Sequence, residues 1–286
     1  MKTNETARPL AISRPVGLGA LPQRYGPLFD QAVAIFAADE RVRALWVHGA
    51  MARGAADAGS DLDLSIAVSD DRFEEFCADW ETWLGAITPS LTARPISAGS
   101  FYVLTPTCER FDVIAEKVSE VGATSLRRRI VVFDRDGLDA IIPLPEDPGP
   151  DPAAVSYLIE ETLRQAANFP VVVVRRDWLL GVVAVQQVHY FLYQLFAEIN
   201  RPMPPTGPKQ WSSKLTADQR RMLESLPVPA PSEDAVRVAR EAAFTVFFRE
   251  APSIAERAGV TWPAEIEHSV RTYLEREAVP LPVPVS

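Results

Sequence analysis

A proline-rich segment divides this chain into two stretches with different patterns. Residues 143–152 read P-L-P-E-D-P-G-P-D-P, so five of these ten residues are proline. Proline lacks a backbone donor and fixes φ, and therefore neither a helix nor an inner strand continues through such a segment. The 286 residues suffice for two domains of ordinary size. We therefore predict a linker at residues 143–152.

The part before the linker alternates between helical and strand patterns. Apolar residues at helical spacing predict helices at residues 27–38 and 72–84. Short apolar runs rich in β-branched and aromatic residues predict strands at 42–48, 62–68, 101–104, 110–116 and 129–134. The fold class predicted for residues 23–142 is α+β with a mixed sheet. Residues 1–22 are expected to form a loose arm.

The part after the linker predicts an all-helical domain over residues 153–278, followed by a tail at 279–286. Helical patterns cover 153–168, 172–200, 216–226, 233–250 and 263–277. Residues 178–197 lack charged side chains and match the length of a membrane span. However, Gln186, Tyr190, Tyr193 and Gln194 form a polar stripe at helical spacing, which favours a core helix over membrane contact.

The charge balance disfavours nucleic acid as a partner. The chain has 29 Lys and Arg against 38 Asp and Glu, a formal net charge of −9. A protein that binds nucleic acid through its phosphates needs a basic surface.

The first nine residues lack the apolar run of a secretory signal. The two cysteines, Cys77 and Cys108, suggest neither a metal knuckle nor a redox pair, so we expect a cytoplasmic protein.

The segment 48–68 concentrates the residues that point to chemistry. A predicted strand ends at Gly49, where the lack of a Cβ lets backbone N–H groups approach a ligand. Arg53 in the following loop can pair with phosphate oxygens. Asp61 and Asp63 lie two apart at the start of the next strand, so both carboxylates share one face. Two adjacent acids favour a divalent cation, which phosphates can also ligate. The alternative is a turn at Ser60 and Asp61 with a polar strand edge.

The arrangement G-A-M-A-R-G, five residues, then S-D-L-D-L resembles the signature of the polymerase-β-like nucleotidyltransferase superfamily. The resemblance implies that Asp61 and Asp63 are catalytic metal ligands, and that Gly49, Ala50, Arg53 and Ser60 contact the nucleotide. Ala50 stands where the family usually has serine, so a backbone N–H group would take the place of the serine hydroxyl at the phosphates.

The resemblance also implies a third carboxylate on a later strand. Asp112 is the candidate, because a lone aspartate in an apolar strand is costly to bury without a cation or donor. Glu109 and Glu116 are the alternatives. Glu116 lies on the same strand face as Asp112 and is also a candidate acceptor contact.

The helical part is similar to the C-terminal domains of aminoglycoside and lincosamide nucleotidyltransferases. This looser similarity implies that Lys209, after a proline-containing loop, reaches the triphosphate; a solvated loop lysine is the alternative. His189 on the polar stripe and Asp177 are weaker candidates for acceptor contacts.

Together with these residues, the resemblance implies an enzyme that uses two Mg²⁺ ions and ATP or another NTP. It would move a nucleoside monophosphate, AMP by preference, to a hydroxyl of a small-molecule acceptor, with an aminoglycoside-type antibiotic as one candidate. The alternatives are transfer to a protein or RNA acceptor, and a non-catalytic nucleotide-binding module. The sequence predicts no oligomeric state.

Overall fold

The computed structural model describes residues 10–121, 128–143, 148–203, 206–207 and 209–282. Contacts within the chain divide it into two compact units. The first, here called the sheet unit, comprises Met1–Glu146 and Pro205–Lys209. The second, the helical unit, comprises Asp147–Pro204 and Gln210–Ser286. The segment 205–209 falls within the range predicted as the helical domain, yet its contacts group it with the sheet unit.

The sheet unit contains four α-helices and six strands among its described residues. The helices are α1 (Tyr25–Ala38), α2 (Gly49–Ala52), α3 (Phe73–Ala78) and α4 (Trp80–Ile87). The strands are β1 (Val42–Val47), β2 (Leu62–Val68), β3 (Thr92–Ser97), β4 (Ser100–Leu104), β5 (Arg110–Lys117) and β6 (Ile130–Asp134). Short 3₁₀ helices lie at Val16–Ala20, Asp70–Arg72, Val118–Glu120 and Leu138–Ile141.

The six strands form one mixed sheet in the order β3-β4-β5-β2-β1-β6. β2 and β5 are parallel, and the other neighbouring pairs are antiparallel. A parallel pair needs a crossover, and the chain between β2 and β5 supplies it through α3, α4, β3 and β4. The α+β prediction with a mixed sheet is confirmed.

One face of the sheet is buried under helices. The main apolar cluster joins side chains of α1, α3 and α4 to the inner residues of β1, β2 and β5, including the fully buried Phe36, Phe76 and Phe111. A smaller cluster on Ala44, Trp46 and Ala67 covers part of the other face. The neighbouring strands β1 and β2 both contribute to these clusters, and they lie on either side of the segment 48–61, here called the motif loop.

The helical unit contains five α-helices among its described residues. They are α5 (Pro152–Arg175), α6 (Trp178–Ile199), α7 (Ala217–Glu224), α8 (Glu233–Arg257) and α9 (Ala264–Arg276), with a 3₁₀ turn at Ser212–Lys214. Within the described ranges, α6 is the one helix long and apolar enough to cross a membrane. Its residues Val185, Leu192 and Phe196 pack into the apolar core of this unit.

Two predicted helices have other limits in the structure, and one strand was not predicted. The helix predicted at 72–84 is divided at Asp79, and the carbonyl of Phe76 accepts the indole N–H of Trp83 at 3.1 Å. Helix α5 continues through Pro170 and ends where Arg176 takes a left-handed conformation. The strand β3 was not predicted, because it is largely exposed and contains Pro95, so it lacks apolar alternation.

The N-terminal arm also differs from expectation. Residues 10–22 are packed rather than loose, since Leu18 and Leu21 are buried in the main cluster and the amide of Ser13 donates to Val132. Residues 1–9 of the predicted arm, 144–147 of the predicted linker and 283–286 of the predicted tail lie outside the described residues.

Candidate functional site

Two aspartates face each other across the parallel strands at the centre of the sheet. Asp63 of β2 is paired in register with Asp112 of β5. The residues before and after each of them are fully buried: Leu62, Leu64, Phe111 and Val113. Because side chains alternate along a strand, both carboxylates lie on the opposite face from this core. They are half-buried and side by side.

Burial and neighbouring acids change the protonation of both carboxyls. Burial, and then the charges of Asp63 and Asp61, raise the pKa of Asp112 to about 7. Burial and the charge of Asp61 also raise the pKa of Asp63 above its ordinary value. A carboxyl that resists ionisation because of neighbouring acids is stabilised in its charged form by a cation. The pair is therefore a candidate cation site.

Asp61, just before β2, lies among positive charges. Its Oδ2 accepts a hydrogen bond from Nζ of Lys209 at 2.7 Å, and Nε of Arg110 lies 3.9 Å from the same oxygen. Burial opposes ionisation of this carboxyl, but the hydrogen bond and charge of Lys209 hold its pKa below the ordinary value. Arg110 also donates to the carbonyl of Gly59 at 2.9 Å, which ties β5 to the motif loop.

The turn after β1 packs directly against Asp63. Gly49 has φ of 66°, and a Cβ added there would lie 1.6 Å from Oδ2 of Asp63. The amide of His48 donates to the carbonyl of Asp63 at 3.0 Å, which fixes the turn beside β2. A side chain at position 49 would therefore displace the carboxylate, so the close approach requires glycine.

The remaining predicted nucleotide contacts are placed around this turn. Arg53 follows α2, and its positive charge partly opposes the rise in the pKa of Asp63 that burial and Asp61 cause. Its Nε is buried and has no hydrogen-bond partner among the described residues. Ala50 is half-buried in α2. Ser60 is buried, and its hydroxyl donates to the carboxylate of Asp57 and accepts a hydrogen bond from the Asp57 amide.

A cavity of about 560 Å³ in the sheet unit opens beside these acids. Its lining includes Asp61, Asp112, Lys209, Arg110, Arg94 and Tyr102. Register places Arg94, Tyr102, Asp112 and Asp63 in one row across β3, β4, β5 and β2.

The sequence analysis did not identify Arg94 and Tyr102, because the register of neighbouring strands cannot be read from one sequence. Arg110 had a signal, since it lies two residues before Asp112 and shares its strand face.

Other predicted residues are placed elsewhere. Glu116 is on the same face of β5 as Asp112 but is paired with Ala67 of β2, roughly 13 Å further along the strand. Glu109 is buried in the sheet unit, bonded to the hydroxyls of Thr105 and Thr107 and ion-paired with Arg24. Asp177 caps α6 by accepting the amide of Leu180 at 3.1 Å. His189 lines a cavity of the helical unit.

The donor atoms at the paired acids suit a hard divalent ion, which takes carboxylate oxygens. Within the described ranges, no group of three or more His, Cys, Asp and Glu side chains is already arranged to hold a metal ion. One oxygen of Asp61 is occupied by Lys209 instead. Asp63 and Asp112 therefore fit a metal by their oxygen donors and their raised pKa values, and Asp61 would have to exchange partners to ligate one.

Comparison with known proteins gives structural similarity alone. No protein-family model matches the chain, and a search of curated proteins finds no match. A solved aminoglycoside 6-adenyltransferase from Bacillus subtilis is similar with 14% identity and a TM-score of 0.42, covering 88% of this chain and 97% of that one. A CCA-adding enzyme has 12% identity and a TM-score of 0.37, with coverage of 94% and 73%. The CdnE cyclic dinucleotide synthase of Elizabethkingia meningoseptica has 11% identity and a TM-score of 0.27, with coverage of 87% and 90%. Similarities this low support no function.

Proposed function

We propose that this protein is a Mg²⁺-dependent nucleotidyltransferase. It moves a nucleoside monophosphate from an NTP, with ATP as the first candidate, to a hydroxyl of a small molecule. An aminoglycoside-type antibiotic is the first acceptor class to test. The observation that carries the proposal is the pairing of Asp63 with Asp112, beside a glycine turn that lies against Asp63.

Asp61, Asp63 and Asp112 supply the oxygen donors of this proposed site. The raised pKa values of Asp63 and Asp112 support it: burial, and then the charges of neighbouring acids, raise them, and a bound cation would stabilise the charged carboxylates. Bound Mg²⁺ would neutralise charge on the triphosphate and make the acceptor hydroxyl easier to deprotonate. The three carboxylates and the turn then hold the reacting groups in place, and positioning supplies much of the rate.

Positive side chains near the carboxylates are suited to the phosphates. Lys209, Arg53 and Arg110 can each donate charge-assisted hydrogen bonds to phosphate oxygens. Lys209 would leave Asp61 for the triphosphate, which frees that carboxylate. The backbone N–H groups of Gly49 and Ala50 complete the nucleotide contacts. Ser60 would act by shaping the turn, since Asp57 already engages its hydroxyl.

The cavity beside Asp112 is where the acceptor would enter. Its volume of about 560 Å³ is in the range of small-molecule sites. Its far wall, on β4 and β3, is formed by Tyr102 and Arg94. Tyr102 is 52% exposed. The predicted acceptor contacts Glu116, Asp177 and His189 stay predictions.

The proposal is tested by incubating the protein with ATP, Mg²⁺ and a panel of aminoglycosides and lincosamides. Pyrophosphate release and a drug mass increased by one AMP are the expected results. ATP affinity should also be measured by calorimetry with and without Mg²⁺, because that measurement does not depend on finding the acceptor.

The matched control is Asp71→Asn, which removes an exposed carboxylate on the 3₁₀ turn after β2. We expect Asp63→Asn to abolish the Mg²⁺ dependence of ATP binding and Asp71→Asn to preserve it. Mg²⁺-independent ATP binding of equal affinity in the parent and in Asp63→Asn would reject the proposed site.

A further inference from the structure

The helical unit contains a cavity of its own, separate from the cavity lined by Asp61 and Asp112. It measures about 410 Å³, which lies within the size range of sites for small organic ligands. Its floor is apolar and consists of Leu215, Leu223 and Leu226. All of its lining residues belong to the helical unit.

Three aromatic rings form one wall of this cavity. The ring of Trp211 is stacked on Tyr193, with centroids 4.1 Å apart and planes within 10°. Tyr190 lies 5.5 Å from Trp211 and 6.3 Å from Tyr193. Tyr193 is buried, whereas Trp211 and Tyr190 are 48% and 41% exposed. An exposed indole held in place by stacking offers a rigid flat surface to another ring.

The cavity carries no net charge. Its charged side chains are Arg220 and Glu224, whose Nε and Oε1 lie 2.7 Å apart one helical turn from each other on α7. Burial lowers the pKa of His189, so its imidazole is neutral at physiological pH. Among its described lining residues, the cavity therefore has no unpaired carboxylate to bind a polycation and no unpaired cationic side chain to bind an anion. The wall therefore favours an uncharged ligand.

His189 provides a polar group beside the aromatic wall, in a lining that also includes Gln186 and Ser212. Its Nε2 is buried and has no hydrogen-bond partner among the described residues. Buried polar atoms without partners are uncommon because they lose their hydration. Rotation of the imidazole about its terminal torsion can turn this nitrogen toward the cavity, where a hydroxyl or amide of a ligand would satisfy it.

We propose that this cavity binds a small uncharged molecule with a flat ring, which lies against Trp211 and Tyr190 and hydrogen-bonds to His189. The site is argued without the proposed transfer, because none of the carboxylates proposed to hold Mg²⁺ line it.

The probe is 2-naphthol, an uncharged flat bicycle with one hydroxyl, titrated by calorimetry into the full chain without nucleotide or Mg²⁺. We expect saturable binding. Loss of the stacking surface in Trp211→Ala should weaken binding at least about fivefold, because aromatic contacts are worth roughly 1 kcal/mol beyond the area they bury.

Tyr190→Ala and Tyr157→Ala form a matched pair. Both remove an exposed tyrosine from a helix of the helical unit, but Tyr157 does not line the cavity. We expect weaker binding in Tyr190→Ala and unchanged binding in Tyr157→Ala. Circular dichroism and melting temperature show whether each variant folds. If Trp211→Ala does not fold, Tyr190→Ala still tests the aromatic contact.

The hydrogen bond is tested by comparing 2-naphthol with naphthalene. The parent should prefer 2-naphthol, and His189→Leu should lose that preference while still binding naphthalene. The proposal is overturned if 2-naphthol does not bind saturably, if Tyr157→Ala weakens binding as much as Tyr190→Ala, or if His189→Leu keeps the full preference.

Discussion

Asp63 and Asp112 are direct partners across two parallel strands, so two carboxylates share one face of the sheet. Neighbouring strands are about 4.8 Å apart, and like charges directly opposite each other destabilise a sheet. The apolar residues that flank both aspartates fix this register, because a shift by one residue would bury the acids and expose the core. An arrangement that costs stability in a well-specified fold is a candidate for function.

The paired acids should matter far more for activity than for folding. We expect Asp63→Asn and Asp112→Asn each to reduce turnover at least about a hundredfold, since loss of such electrostatic groups commonly costs several kcal/mol. Without metal, both variants should melt at or above the temperature of the parent, because each relieves repulsion. Turnover and thermal melts of the purified variants measure this.

Asp61→Asn serves as the internal comparison. It should reduce turnover by a similar factor, but it removes the partner of Lys209 and so should gain no stability. Near-normal turnover of any of the three variants at saturating Mg²⁺ would show that its carboxylate is not a metal ligand.

The stability of the metal-free protein should depend on the protonation of Asp112. Its folded pKa of about 7 is above the value of 3.8 for an unperturbed aspartate. Between these values the folded state keeps a proton that the unfolded state releases, so the stability contributed by this group falls as pH rises from 3.8 to about 7 and is level above that. The opposite sign would hold for a carboxyl whose folded pKa is lowered.

The difference in melting temperature between Asp112→Asn and the parent, measured across pH, isolates the contribution of Asp112. We expect the advantage of the variant in melting temperature to grow from about pH 5 to about pH 8. Adding Mg²⁺ near pH 8 should stabilise the parent more than the variant. A difference that does not change with pH would mean that Asp112 ionises normally in the folded protein.

Much of the central sheet was predictable because local signals and packing agree there. The limits of β2 were predicted correctly, since its apolar residues are bounded by the S-D-x-D turn. Asp112 was also singled out by its apolar neighbours. By contrast, Arg94 lies on an exposed edge strand with a proline, where no buried face imposes a periodic pattern.

Features that depend on tertiary contacts were not predictable. The helix break at Asp79 accompanies the hydrogen bond from Trp83 to Phe76, which local propensity does not encode. The ion pair of Lys209 with Asp61 joins residues 148 positions apart. The wall of the cavity at His189 includes Trp211 stacked on Tyr193. The helical spacing placed Tyr190 and Tyr193 on one face of α6, but it did not indicate that Trp211 packs there.

Lys209 should contribute to nucleotide binding and only modestly to turnover. Lys209→Ala is expected to weaken NTP binding by about 1–2 kcal/mol, because charge-assisted hydrogen bonds near solvent have about that value. Affinity for the acceptor should change little. Nucleotide titrations in the presence of Mg²⁺, or of Ca²⁺ to prevent turnover, measure the effect.

A double-mutant cycle separates the phosphate contact from the pairing with Asp61. If Lys209 acts by leaving Asp61 for the triphosphate, its effect on NTP affinity should persist in the Asp61→Asn background. Unchanged NTP affinity in Lys209→Ala would leave only the solvated-lysine interpretation. Arg220→Ala is a suitable control, since it removes an exposed cation of the helical unit.

The last prediction uses two glycines that share a backbone conformation but differ in their surroundings. Gly49 and Gly54 have φ of 66° and 72°, so alanine at either position is strained by roughly 1–2 kcal/mol. At Gly54 an added Cβ meets no atom within 4 Å, whereas at Gly49 it would lie 1.6 Å from Oδ2 of Asp63. We therefore expect Gly54→Ala to lose some stability and keep its activity. Gly49→Ala should lose a similar or larger amount of stability, and it should also lose most turnover and Mg²⁺-dependent ATP binding, because Asp63 must move. Chemical denaturation, ATP calorimetry and turnover of the two variants side by side test this. If both variants lose activity equally, backbone strain in the loop is responsible and the contact of Gly49 with Asp63 has no specific role.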